Sequence, residues 1–224
     1  MKRIAAMLAL SLVLLLPLSA CGGMNEEYAM CYVQGTLDQN YLGTVEEDFL
    51  ELIDTSEEEV AQAYEESLSA EAQFFLSSFV ESQLPTEVEM RLINELVEMY
   101  RQIYAHSRYT VDSAAKMENS TFSVKVTVEP IDIFHLVADA MANGAADELN
   151  SSYPDQMTDE EYLAYEVDWV ELFMDVTYEK LPELGYLEAQ STLVQVVLGE
   201  KNFWSIPSDD FWALDALIID YNLY

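Results

Sequence analysis

Two histidines, two cysteines and 42 acidic residues carry whatever side-chain chemistry this 224-residue chain performs. His106 and His135 have no second His or Cys near them at metal-ligand spacing, so neither forms a zinc motif. His106 closes a helix-patterned segment, where a cation complements the helix dipole, and both histidines read as capping or core residues. Asp155 with Asp159, Asp209 with Asp210, and Glu57 to Glu59 could offer hard oxygens to Ca²⁺, yet none has the spaced loop with a central Gly and a terminal Glu. Glu57 to Glu59 and Asp159 to Glu161 have a simpler use as acids in the first turns of helices. A carboxylate pair for glycoside hydrolysis is so easily found in a chain this acidic that its presence says little. No Gly-x-Ser-x-Gly, phosphate loop or dinucleotide turn occurs, and no cofactor or metal is expected. The carboxyl end is more suggestive, because Phe203, Trp204, Phe211 and Trp212 alternate with Asp209, Asp210 and Asp215. Aromatics beside acids can grip cationic or sugar-like ligands, which makes Trp204, Phe211, Trp212, Asp209 and Asp210 the candidate ligand-binding residues. The same alternation over a strand and an amphipathic helix also makes a core edge, and the sequence leaves both uses open.

Cysteine placement bears on address rather than catalysis. Lys2 and Arg3 precede an uncharged apolar run over residues 4–16, the layout of a signal peptide. The run is too short for a stable transmembrane helix, which needs about 20 apolar residues. It leads into Leu18-Ser19-Ala20-Cys21, which resembles the lipobox of bacterial lipoproteins. By that resemblance the peptide is cut before Cys21, whose thiol carries diacylglycerol. One acyl chain binds a membrane only marginally, whereas two on one residue give a lasting anchor. A cut after Ala20 also satisfies an ordinary secretory signal, the alternative to lipidation. With Cys21 alkylated, Cys31 has no disulfide partner; among Tyr28, Ala29, Tyr32 and Val33 it reads as a small buried hydrophobe.

The net charge is −33, and loss of Lys2 and Arg3 with a leader makes it more negative still. Such a charge repels nucleic acid and anionic headgroups and favours cations or basic partners, so no nucleic-acid partner is expected. Three Trp, nine Phe and fourteen Tyr, spread along the chain, argue for a packed core rather than an acidic disordered tail.

Periodicity places these residues on elements. Apolar positions Tyr28, Ala29, Tyr32, Val33 and Leu37 predict a helix over residues 25–40, and a short helix follows over 45–53. Ser56 with Glu59 forms a capping box opening a helix over 57–82, with Val60, Tyr64, Leu68, Phe75 and Phe79 on its apolar side and its glutamates toward water. Another helix runs from Thr86 to about residue 106. A strand-like segment over 109–116, a turn at 118–120, and the alternation of Phe122, Val124, Val126 and Val128 predict a hairpin. Helices follow over 133–149 and, from a second capping box at Thr158 and Glu161, over 159–179. A strand-like segment over 186–198, a turn over 199–202 and residues 203–206 form a second hairpin, before a terminal helix over 208–221 capped by Ser208. Asn119-Ser120-Thr121 matches a glycosylation acceptor but reads as a turn.

This order predicts an α+β fold, with long amphipathic helices packed on a small antiparallel sheet of about four strands if the two hairpins join. The arrangement is similar, by analogy, to cone-shaped cystatin-like folds. The expected organisation is a leader over 1–20, a lipidated tether over 21–24 and one domain over 25–224. The run from Tyr32 to Asp38 with Asn40 and Tyr41, the Ser56 to Glu59 helix start with Tyr64, residues 100–109, the strand from Val124 through Pro130-Ile131-Asp132, and the closing aromatic-acidic helix resemble uncharacterised lipoproteins of Gram-positive, clostridial-type bacteria that share a domain of unknown function. That resemblance implies export, anchoring outside the cytoplasmic membrane and a single domain, and it implies no reaction. Two expectations therefore stand: a membrane-anchored binding or interaction module for a protein or small-molecule ligand, and an extracytoplasmic hydrolase using a carboxylate pair, with or without Ca²⁺.

Overall fold

The computed structural model describes residues 16–17, 23–118, 121–199 and 203–221. Cys21, and all but the first residue of the turns expected over 118–120 and 199–202, lie outside the described residues. The chain is α+β, as its periodicity predicts. Helices α1 (Glu26–Leu37), α2 (Glu47–Ile53), α3 (Glu57–Phe79) and α4 (Thr86–Tyr104) come first. A long antiparallel pair follows, of strands Arg108–Lys116 and Phe122–Glu129; a two-residue strand, Leu16–Pro17, precedes them in the chain, so they are β2 and β3 and it is β1. Helices α5 (Ile133–Ala140), α6 (Asp147–Ser152) and α7 (Asp159–Lys180) lead to β4 (Gln190–Leu198), β5 (Phe203–Ser205) and α8 (Ser208–Asp215).

The two hairpins join. Strand order is β1-β5-β4-β3-β2, with β3 and β4 antiparallel in a register that sets Val124 opposite Val194 and Phe122 opposite Val196. The four strands β2 to β5 are the expected sheet, and β1 adds a two-residue edge. Alternation puts Phe122, Val124, Val126, Val128, Val194 and Val196 on one face, all fully or almost fully buried, while Ser123, Lys125 and Thr127 point away. Burying each such valine stabilises by roughly 1.5–3 kcal/mol. Helix α1 packs across β2 and β3, and α3, α4, α5 and α7 pack on one another, joined by tilted and stacked contacts among the rings of Phe75, Phe79, Trp169 and Phe173.

Several element ends differ from the periodicity, each for a local reason. Helix α3 stops at Phe79 rather than residue 82, because the buried Glu166 carboxylate of α7 accepts the amides of Glu81 at 2.6 Å and Ser82 at 3.1 Å. The helix expected over 133–149 is broken by a π-helical turn, Met141–Ala145, in which Gly144 takes φ 114°. Only glycine adopts that conformation cheaply. Strand β4 begins at Gln190; upstream of it, Tyr186 makes an isolated bridge to Ile131. The last helix starts from Pro207, with Ser208 already helical and making no side-chain cap, and ends at Asp215 rather than residue 221. Beyond it the chain leaves helical geometry to pair with Ile131: the Ile131 amide donates to Ile218 at 2.9 Å, and the Asp220 amide donates to Ile131 at 3.1 Å.

Candidate functional site

Helix α1 runs without a cap into a π-helical turn, Asp38–Leu42, closed by Gly43 at φ 66°. A Cβ at Gly43 would fall 2.4 Å from the Tyr64 ring, so the turn needs glycine for space as well as conformation. The wider turn sends Asp38 outward to the start of β2 and Tyr41 inward to the helices; π-turns of this kind recur at functional sites.

A pocket of about 380 Å³ opens where this turn meets β2 and β3. Gln34 and Asp38 wall one side; Ser107, Arg108, Tyr109 and Glu129 wall the other. Asp38 Oδ1 accepts both the Gln34 amide at 2.9 Å and the Tyr109 hydroxyl at 2.8 Å, which leaves Oδ2 without a protein donor among the described residues. Burial raises the Asp38 carboxyl above its ordinary range, against the lowering pull of those two hydrogen bonds. Burial likewise raises Tyr109, helped by the Asp38 charge. The Ser107 Oγ, in the pocket wall, is buried with no partner among the described residues. Arg108 lies over the Tyr186 ring at 3.8 Å and pairs with Glu129 at 3.5 Å. Unfilled hydrogen-bond capacity, both charges and an aromatic wall suit a small polar ligand. A wider cleft of about 1200 Å³ between α3 and α4 is lined by Gln73, Phe74, Ser77, Val80, Leu84 and Ile93, and no orphaned buried polar atom faces it.

Behind the pocket is a set of acids and tyrosines in the interior. The Tyr41 hydroxyl donates to Asp215 at 2.6 Å, and the Tyr221 hydroxyl donates to Glu71 at 2.7 Å. Tyr41 packs on Tyr104 at 5.2 Å and on Tyr109 at 6.3 Å between ring centres, which links this set to the pocket wall. Glu71 is 9% exposed, not water-facing as expected of the glutamates on α3. Burial, then the nearby Asp215, push its carboxyl up to about 7 against the opposing Tyr221 hydrogen bond. Asp215 keeps some surface as a residue, but its Oδ1 meets a buried hydroxyl, and burial raises it too. No ion pair reaches either carboxyl among the described residues.

The aromatic-acidic carboxyl end is divided among other tasks. Trp204 is buried against Phe122, with ring centres 5.7 Å apart, and Phe211 is also buried in the core. Trp212 is 42% exposed. Asp209 is exposed, whereas Asp210 accepts the Gln195 amide at 2.7 Å, closing the edge of β4 beyond the short β5. Asp215 faces Tyr41, and of the aromatic-acidic set Trp204 and Phe211 lie in the core while Trp212 and Asp209 stay exposed. Of the histidines, His106 gives its carbonyl to the Tyr186 hydroxyl at 2.8 Å, and His135 Nε2 meets Asp220 at 3.0 Å. Cys31 is half-buried against the core, its thiol raised by burial and then by Asp48 and Glu27. Among the described residues no three His, Cys, Asp or Glu side chains converge in a metal-holding geometry.

No protein-family profile matches the chain, and no curated protein is similar to it in sequence. Its fold is similar to that in the crystal structure of ycdA from Bacillus subtilis, named as a candidate lipoprotein, with TM-score 0.53 and 16% identity over 86% of this chain. The chain spans 56% of the length of that structure.

Proposed function

We propose that this protein is an extracytoplasmic lipoprotein, cut before Cys21 and held by lipid on that residue at the outer face of the cytoplasmic membrane, where it acts as a binding module. The observation that carries the reading is Leu18-Ser19-Ala20-Cys21 directly after the short apolar run. Two further observations support it. The fold is shared with a protein named as a candidate lipoprotein, and no helix among the described residues is long and apolar enough to cross a membrane. The first helix opens at Glu26, with Asn25 accepting the Tyr28 amide at 2.9 Å. A five-residue tether of ~3.5 Å per residue then keeps the domain within about 20 Å of the headgroups. Strand β1 leaves with the leader, and β5 becomes a three-residue edge, short enough to resist edge-to-edge pairing.

Binding is favoured over hydrolysis because the two carboxyls that share the interior, Glu71 and Asp215, are engaged by tyrosines, while the pocket wall holds the orphaned Ser107 hydroxyl and the open Oδ2 of Asp38. The ligand is small and polar, with a donor for Asp38 Oδ2.

Two experiments test this. Cells fed a clickable fatty acid should label the wild type in the membrane fraction and leave Cys21→Ser unlabelled; label on neither removes the anchor. A thermal-shift panel of small polar compounds should then include one that raises the midpoint of the wild type more than that of Asp38→Asn. At a hundred times its Kd such a compound adds about 2.7 kcal/mol, or about 5–10 °C in a chain of this size. Equal shifts on both proteins would place the ligand elsewhere.

A further inference from the structure

The end of the chain is fastened to the body by apolar burial of Ile218 and Ile219 and, on either side of them, by hydrogen bonds that involve two buried carboxyls. After α8, two main-chain bonds tie Ile218 and Asp220 to Ile131. Ile219 also bridges to Ile131, and the side-chain ties include Tyr41 to Asp215, Tyr221 to Glu71 and His135 to Asp220, together with the Tyr221 ring on Phe134 at 5.1 Å. Glu71 and Asp215 feel each other's charge across a low-dielectric interior. The groups facing them are Tyr41 on the π-turn, Tyr100 and Tyr104 on α4, and Tyr221 on the segment itself, with Tyr109 of β2 behind Tyr41. Burial raises all five hydroxyls, so none supplies a charge to the set at neutral pH. The apolar walls are Phe75, Phe134 and Phe173.

We infer that residues 215–221 form a proton-dependent latch, held tightest onto α3 and α4 while Glu71 and Asp215 together hold at least one proton, and loosened when both are charged. Two like charges with no counter-cation among the described residues are costly in this interior, and the element that yields is the terminal one bearing Asp215 and Tyr221, against the hold of Ile218 and Ile219, since α3 is fixed by the core along its length. The direction follows from the carboxyls. Glu71 sits above its ordinary 4.5, at about 7, so the closed state binds the extra proton. Closure is at full strength below about pH 4.5, weakens as pH rises, and stops weakening above about 7; Asp215, also raised, acts in the same sense. Because Tyr41 also touches Tyr109, release removes the acceptor behind one wall of the pocket.

Hydrogen exchange on the intact protein, corrected for the intrinsic rate, reads the latch at the amides of Ile131 and Asp220. Their opening equilibrium should rise roughly 100-fold between pH 4.5 and 7.5, toward the limit of a tenfold change per pH unit of displaced carboxyl. Glu71→Gln keeps an acceptor for Tyr221 without a charge and should flatten the rise, while His135→Gln, which removes the imidazole facing Asp220, should keep it. The inference is overturned if Glu71→Gln follows the wild-type profile, if His135→Gln alone flattens it, or if the amides of Val124 and Val126 open in parallel, which would mean that the whole domain loosens and not the latch.

Discussion

Gly35 lets two helices touch. A Cβ at this position of α1 would fall 2.0 Å from the ring of Phe49, a core residue of α2, and a ring so enclosed has nowhere to turn. Gly35→Ala should therefore cost about 1–3 kcal/mol through overpacking, seen as a lower urea midpoint with an unchanged m-value. An unchanged midpoint would mean that α2 yields freely and that this contact does not define the fold. Single residues are also where sequence reasoning missed most. Glu71 lies three residues after Leu68 and four before Phe75, squarely on the apolar stripe of α3, and that spacing was the available signal. An acid-rich helix hides it, because every neighbouring glutamate does face water. Asp215 follows Phe211 by four and is placed inward by the same geometry. The unpartnered oxygen of Asp38 depends on Tyr109, far along the chain, and no local pattern shows that meeting.

At the scale of elements, the capping boxes are the most legible feature, since they are local in sequence and in space. Ser56 and Thr158 each accept the amide of the glutamate three residues on, at 3.3 Å, and each glutamate returns a bond to the cap amide. Ser56→Ala and Thr158→Ala should each cost about 1 kcal/mol and should add in the double variant, because they sit on different helices. Calorimetric midpoints check this at roughly 2–4 °C per kcal/mol. A double variant no worse than either single one would show that the two helix starts are coupled. Strand β3 was equally readable from its alternation. Less legible were the ends set by distant partners: the stop of α3 under Glu166, the isolated bridge of Tyr186, and the exit of the chain from α8 to reach Ile131. The break at Gly144 had a visible cause, but helix periodicity on both sides masks it.

At the scale of the whole molecule, the joining of the hairpins follows from their hydrophobic parity. With one face of Val124, Val126, Val194 and Val196 to bury, β3 and β4 serve each other better than either would alone. The helices cover that face, the opposite face carries Lys125, Thr127 and their neighbours, and the large negative charge is borne outward apart from the few acids turned in. Neither the sheet nor the charge says where the protein works; that rests on the residues before α1. The most direct measurement is the mass of the amino-terminal peptide of protein purified from its own membranes. A peptide beginning at Cys21 and carrying diacylglycerol is the predicted result. A peptide that begins at residue 21 with a free thiol, or one that retains the leader, would contradict it.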